Sequence, residues 1–288
     1  MRVSPFSIIL ILCAAGYGLL GLAGCPRAVS LPASLPSHPA PEGGTKTPPR
    51  KSGGVQAPAL QPEDGIPGTS GWVQAAPGLS YRVGEIQGGL AQMAALRVDP
   101  EAYRVVVLDA RSEGKTGLTA RQFAERHHAL AAINGGFFDE KGVPLGLLMH
   151  AGKITSPLRH VDWGLFLMQG TQPAVHHTKQ GVPAGTTEAL QCGPRLVFPR
   201  GQPQFKPGES MRSGVGVTED SQVLLAVTSR GELSLRDFAA ALAAWGCREA
   251  LNLDGGPSSQ LYAQRGTMSL DLPGAYPVPD AIAVLPGG

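Results

Sequence analysis

Two stretches of the 288-residue chain end an apolar run on a polar side chain and follow it with paired glycines. In ALAAINGGFFD the run closes on Asn134, before Gly135 and Gly136; in EALNLDGGPSS it closes on Asp254, before Gly255, Gly256, Pro257, Ser258 and Ser259. A carboxylate can serve as nucleophile, base or electrostatic partner of a developing cation. An amide offers one acceptor and two donors, suited to a sugar hydroxyl. Paired glycines let a ligand approach the main chain and can present N–H groups as an anion-binding nest. Ser258 and Ser259 add donors. One Asp-Gly is also an ordinary hairpin turn. Its recurrence, 120 residues apart between Asn134 and Asp254, points to two strand ends facing one site, with two unrelated turns as the other reading. Arg212 in MRSGVGVTED and Arg195 in CGPRLVFP stand beside β-like runs. A guanidinium there can grip a phosphate with two parallel hydrogen bonds, or form a surface ion pair. Asp139 and Glu209 are candidate second carboxylates.

The elements that must position these residues are mostly short strands. GLAQMAALRVD and YRVVVLDA read as an opening pair of strands around an Asp99-Pro100 turn. A helix follows, with Thr119 as cap and Gln122 three residues on, and it leads into the Asn134 strand. A second helix carries an apolar face of Leu235, Phe238, Leu242 and Trp245 behind a Ser234 cap. Gly246 closes it, and the Asp254 strand follows. SGVGVTED and VLLAVTSRG form a hairpin candidate around Thr218–Ser221. Strands outnumber helices and arrive in runs, which predicts an α+β domain with a mixed, strand-rich sheet core and a few flanking helices.

The ends set the compartment. Residues 1–24 combine Arg2, an apolar run and small residues, as an export signal does. Leu22-Ala23-Gly24-Cys25 resembles the lipobox of bacterial lipoproteins, in which the Cys carries the lipid. An uncleaved anchor is the other reading, because the run approaches the roughly 18 residues a span needs. Residues 25–70 hold ten of the 26 prolines and no apolar periodicity, the composition of an extended tether. That leaves one domain over residues 71–288. The net charge of +2 gives no argument for nucleic acid. Cys192 and Cys247 are candidates for a disulfide in an oxidising envelope, or two buried free thiols.

Taken in order, INGGFFD, GVPLGLLMHAGKI, CGPRLV, RSGVGV and ALNLDGGPSS resemble the phosphodiester glycosidase family. The resemblance runs over roughly residues 97 to 284. It implies hydrolysis of a sugar-1-phosphodiester, with Asp254, Arg212 and Asn134 as catalytic residues. Gly135, Gly136, Arg195, Gly255, Gly256, Ser258 and Ser259 would contact a phosphorylated carbohydrate. Four positions depart from the family pattern: Pro257 replaces a third glycine, Ser213 a Thr, and Tyr276 and Asp280 stand where Arg and Asn are usual. Two further readings stay open, a non-catalytic envelope lipoprotein that binds phosphorylated glycans and a hydrolase of unphosphorylated polysaccharide. No cofactor is expected. A divalent cation on Asp254 and Asn134 stays open, with no calcium loop or zinc spacing to favour it.

Overall fold

The computed structural model describes residues 71–199 and 203–287. The signal segment 1–24, Cys25 and the tether 25–70 lie outside the described residues. Among the described residues, no helix is long and apolar enough to cross a membrane.

Three antiparallel sheets build the domain. The largest has seven strands, in the order Val73–Ala76, Leu79–Ile86, Ala91–Val98, Val223–Arg230, Ser213–Thr218, Cys247–Asn252 and Arg195–Val197. A second orders Met268–Leu272, Leu261–Arg265, Ala131–Asn134, Asp280–Pro286 and Tyr103–Asp109. The third orders Lys153–Ser156, Leu148–His150, Glu188–Cys192, Gly164–Gln169 and Gln172–His177. Two two-residue strands, Glu209–Ser210 and Leu233–Ser234, pair separately.

The expected strand-rich core forms, but its mixed character is corrected: every strand pair among the described residues is antiparallel. Tight turns account for the consecutive pairs, because a parallel neighbour needs a crossover of a dozen or more residues. Val223–Arg230 instead meets Ala91–Val98, and Asp280–Pro286 meets Tyr103–Asp109, across long connections. The hairpin around Thr218–Ser221 forms as read, with Val217 opposite Val223. The strands flanking Asp99-Pro100 also form, but they enter different sheets. The opening hairpin is Val73–Ala76 with Leu79–Ile86 instead.

All three sheets turn one face to a shared core that includes Leu96, Val215, Leu251, Ile133, Ile282, Phe166 and Leu190. Helices cover two outer faces. Helix α1 (Ala120–His127) presses Phe123 and Ala124 onto Val106, Leu108, Ala132, Ala281 and Ala283. These alternate along their strands with the inward Val105, Val107, Ile133, Ile282 and Val284, as a period of two requires. Burial on both faces accounts for the unbroken apolar run YRVVVLDA. Helix α2 (Leu235–Ala244) and the following Trp245 pack Phe238, Leu242 and the indole onto Met93, Ala95, Leu224 and Ala250. Thr119 and Gln122 form a reciprocal capping box on α1, and Ser234 caps α2 through the Asp237 N–H at 3.1 Å.

Cys192 and Cys247 are free and buried, which corrects the disulfide candidate. Cys192 faces the shared core and Cys247 packs on the α2 side of the seven-stranded sheet. The sheet itself keeps the thiols apart.

Candidate active site

The two polar strand ends meet. The Asn134 amide donates to the Asp254 carbonyl at 2.7 Å, and the Asp254 N–H donates to the Gly135 carbonyl at 3.0 Å. Asn134 Oδ1 accepts from the Gln260 N–H at 3.1 Å. Both ends of this amide are thus engaged, and Asn134 is 0% exposed. Asn134 is expected to orient a sugar; in this structure its amide instead holds the Asp254 and Gln260 main chain and presents no exposed atom to a ligand.

The glycines have a different use from the one expected. Gly135 N–H donates to the Asp280 carbonyl and Gly136 N–H to Asp280 Oδ1 at 2.6 Å. Gly255 N–H donates to Asp254 Oδ1 at 3.1 Å, and Gly256 N–H to the Met211 carbonyl at 2.8 Å. All four donors are occupied within the protein, so the anion nest expected at these glycines is not open. What demands glycine is close packing. A Cβ on Gly135 would stand 2.0 Å from Asp280 Oδ1, one on Gly136 2.9 Å from the Gln191 carbonyl, and one on Gly255 2.9 Å from the Met211 carbonyl. Gly256 alone of the four has a positive φ, +57°.

Asp254 is the partly exposed carboxylate of this junction. Burial raises its pKa, partly offset by hydrogen bonds from Ser258 and the Gly255 N–H. Ser258 Oγ also lies 3.3 Å from Tyr276 Oη, and the Tyr276 ring meets Phe138 edge-on at 6.3 Å. Ser258 is fully buried, while Tyr276 is exposed. Ser259 points a buried hydroxyl at no partner among the described residues. The candidate site therefore holds a carboxylate and two hydroxyls, with an aromatic rim.

A second carboxyl lies beneath it, and it is neither Asp139 nor Glu209. Asp139 closes a turn, accepting from Lys141 N–H and Val143 N–H at 2.9 Å each, and Glu209 is exposed on its short strand. Asp280 is the one brought in. It is 0% exposed, its Oδ1 takes the Gly136 N–H, and its Oδ2 has no partner among the described residues. Burial, with Asp109 and Asp254 adding repulsion, pushes it up to about 8. Asp109 is opposite Asp280 in the sheet register, yet it behaves in the other sense. Burial would raise it, but hydrogen bonds led by the Arg111 fork, at 3.0 and 2.7 Å, hold it below the usual range.

Arg212 reaches the site through its neighbour, since the Met211 carbonyl holds Gly256. Its Nε donates to the Leu233 carbonyl at 2.8 Å and one terminal nitrogen to the Gly208 carbonyl at 2.9 Å. It makes no ion pair among the described residues, and burial lowers its pKa. Arg195 starts its strand opposite Leu251, and its guanidinium lies over the Phe198 ring at 4.3 Å. The structure thus unites Asp254, Asn134, Gly135, Gly136, Gly255, Gly256, Ser258 and Ser259, with Arg212 adjoining. It gives Arg195 no contact with that group.

The phosphodiester glycosidase family matches residues 127–285, more than half of the chain and the whole of this junction. The chain belongs to that family. Among solved structures, the catalytic domain of the zebrafish N-acetylglucosamine-1-phosphodiester alpha-N-acetylglucosaminidase, auto-inhibited by its pro-peptide, shares 15% identity. It aligns with a TM-score of 0.58 over 75% of this chain and 85% of that one. A Synechocystis protein shares 18% identity at the same TM-score, over 75% of this chain and 63% of that one, less than two thirds of its length. At such identities the likeness establishes the fold. Comparison with curated proteins by sequence returns no match.

The sequence marked Asp280 only as a departure from the family pattern and gave no sign of Gln260 or of the part Asp280 plays at the site. Gln260 is fully buried and ties three segments: its Oε1 accepts from Ala120 N–H, and its Nε2 donates to the Ser258 and Tyr276 carbonyls. The signal for Asp280 was present, an acid at the head of the apolar run AIAVL, the reverse of an acid closing one. No group of three or more metal-capable side chains occurs among the described residues.

Proposed function

We propose that this protein hydrolyses a sugar-1-phosphodiester at the anomeric C–O bond, with Asp254 at the reacting centre. The observation that carries the reading is the placement of Asp254, a partly exposed carboxylate fixed by bonds to Asn134 and Gly135 from the other motif. Water adds to the anomeric carbon while the C–O electron pair leaves with the phosphate oxygen. A phosphate monoester leaves readily, so the reaction asks little of a general acid. It does ask for stabilisation of positive charge on the sugar ring, which the Asp254 carboxylate supplies as nucleophile or electrostatic partner. Arg212 answers the departing phosphate. Two of its nitrogens are held by carbonyls and, with Glu232 nearby but no ion pair among the described residues, a terminal nitrogen remains for an anion. Tyr276 and Phe138 suit the rim of a sugar subsite.

The expected export signal and Cys25 support a place outside the cytoplasm, lipid-anchored in a bacterial envelope, with envelope or extracellular glycans as substrate. The test is incubation of the purified protein with a synthetic sugar-1-phosphodiester and with the matching plain glycoside, beside Asp254→Asn. Cleavage of the phosphodiester alone, lost in the folded variant, supports the reading. Saturable binding without turnover across a panel of substrates makes the protein a glycan-binding one instead.

A further inference from the structure

We propose that Asp280 is a positioning residue, held as the neutral acid, whose ionisation adds a second negative charge beneath Asp254 and weakens the binding of an anionic substrate. The inference rests on the reading of Asp254 given above. Its basis is geometric. A fully buried carboxylate without a cation is costly enough that the group keeps its proton instead. Asp280 meets that condition, because Arg111, the nearby cation, is taken by Asp109. Only one of its oxygens is used, and its partner is a peptide N–H rather than a charge.

The link from Asp280 to Asp254 is short. Asp280 receives both N–H groups of the Gly135–Gly136 turn, one on its carbonyl and one on Oδ1. The carbonyl of the same Gly135 receives the Asp254 N–H. One peptide thus ties the two acids, and a Cβ-free Gly135 is what lets Asp280 press so close. The ionisable groups around it are Asp109 on the paired strand, Arg111 beyond that strand, Cys192 on the neighbouring sheet, and Asp254. Burial raises the Cys192 thiol far above neutrality, so it carries no charge here. Ionised Asp109 and Asp254 disfavour a third charge, and proton loss from Asp280 is delayed until alkaline pH. Below that point Asp280 braces the turn without adding charge. Above it a phosphodiester, itself an anion, approaches two carboxylates instead of one.

The experiment follows the Asp280 side-chain carboxyl by carbon-13 NMR against pH, in the wild-type protein and in Asp254→Asn. The expected result is a midpoint near 8 that falls in the variant, with the Gly136 amide proton of the wild type moving through the same midpoint. An Asp280 already ionised at pH 7, or one indifferent to Asp254→Asn, overturns the proposal. The Gly136 amide signal needs no variant and decides the matter if substitution prevents folding. On the phosphodiester, KM should rise about tenfold between pH 7 and 9 in the wild type with kcat little changed, and stay level in Asp280→Asn. An identical rise in Asp280→Asn also overturns it. If no turnover occurs at any pH, the proposed reaction fails, and the NMR midpoints still decide the role of Asp280.

Discussion

Asn134 donates its side-chain amide to the backbone carbonyl of Asp254 at 2.7 Å, joining the last residue of the strand Ala131–Asn134 to a residue two beyond the end of Cys247–Asn252 in another sheet. The bond turns two separate Gly-Gly turns into one junction. Asn134→Ala removes this donor and the acceptor of the Gln260 N–H, leaving one buried and one partly buried main-chain group without these partners. At about 1–3 kcal/mol for each unsatisfied group, the loss of stability should be roughly 2–6 kcal/mol. Thermal unfolding measures it. In the protein that remains folded, kcat should fall while KM changes little, because Asn134 acts on substrate only through Asp254. A kcat equal to wild type removes Asn134 from the positioning machinery.

Arg212 separates charge from geometry. Arg212→Lys keeps a cation but cannot bond the Leu233 and Gly208 carbonyls as a planar fork does. Arg212→Ala loses both. If the guanidinium holds a phosphate, Arg212→Ala should raise KM for a phosphodiester roughly 10- to 100-fold, as expected for loss of a charge-assisted hydrogen bond. Binding of the matching uncharged glycoside should be unaffected. Competition assays with both ligands check this, and equal losses for the two would assign Arg212 to structure alone.

What could be read from the chain followed the range of each interaction. The Thr119 and Ser234 caps are local, each closing on a residue three positions away, and both formed as expected. The Asn134 and Asp254 strand ends were legible because the same short pattern appears twice. The function of their glycines was not. Whether a glycine N–H faces a ligand or a neighbouring carbonyl depends on what packs there, and here it was Asp280 and Met211 that arrived. Asp280 was visible as a departure from the family pattern, but its place at the site was hidden for the same reason. Its partner Gly136 lies 144 residues away, and complete burial sets the character of its carboxyl. The division into three sheets was likewise beyond local pattern. Tyr103–Asp109 follows Ala91–Val98 closely, yet it joins Asp280–Pro286 instead.

The cysteines provide a test of the core. Cys192 and Cys247 lie on opposite sides of the seven-stranded sheet, and burial pushes the Cys247 thiol up to about 12. Neither should react with a thiol reagent in the native protein at pH 8, since the thiolate is the reactive form. Both should react once denaturant is added. A reductant should leave the melting temperature unchanged. A drop of several degrees on reduction would instead reveal a bond between them.

The proton on Asp280 also has a thermodynamic consequence that needs no substrate. Its folded pKa of about 8 lies above the ordinary carboxyl value near 3.8, so between those values the folded protein binds a proton that the unfolded chain has released. Stability from this group is therefore fully present below about pH 4, declines as pH rises, and levels off above about pH 8. Asp254, raised in the same direction, adds a smaller slope of the same sign. Asn at position 280 keeps an acceptor for the Gly136 N–H and cannot ionise, so Asp280→Asn should flatten most of the decline. The variant's advantage over wild type should grow from pH 4 to pH 8, to a difference on the order of a few kcal/mol, and then stay constant. Chemical denaturation of both proteins at several pH values measures it. Parallel curves would mean that Asp280 titrates at the same pH whether the chain is folded or not, and that its burial is relieved by water reaching the unpaired oxygen.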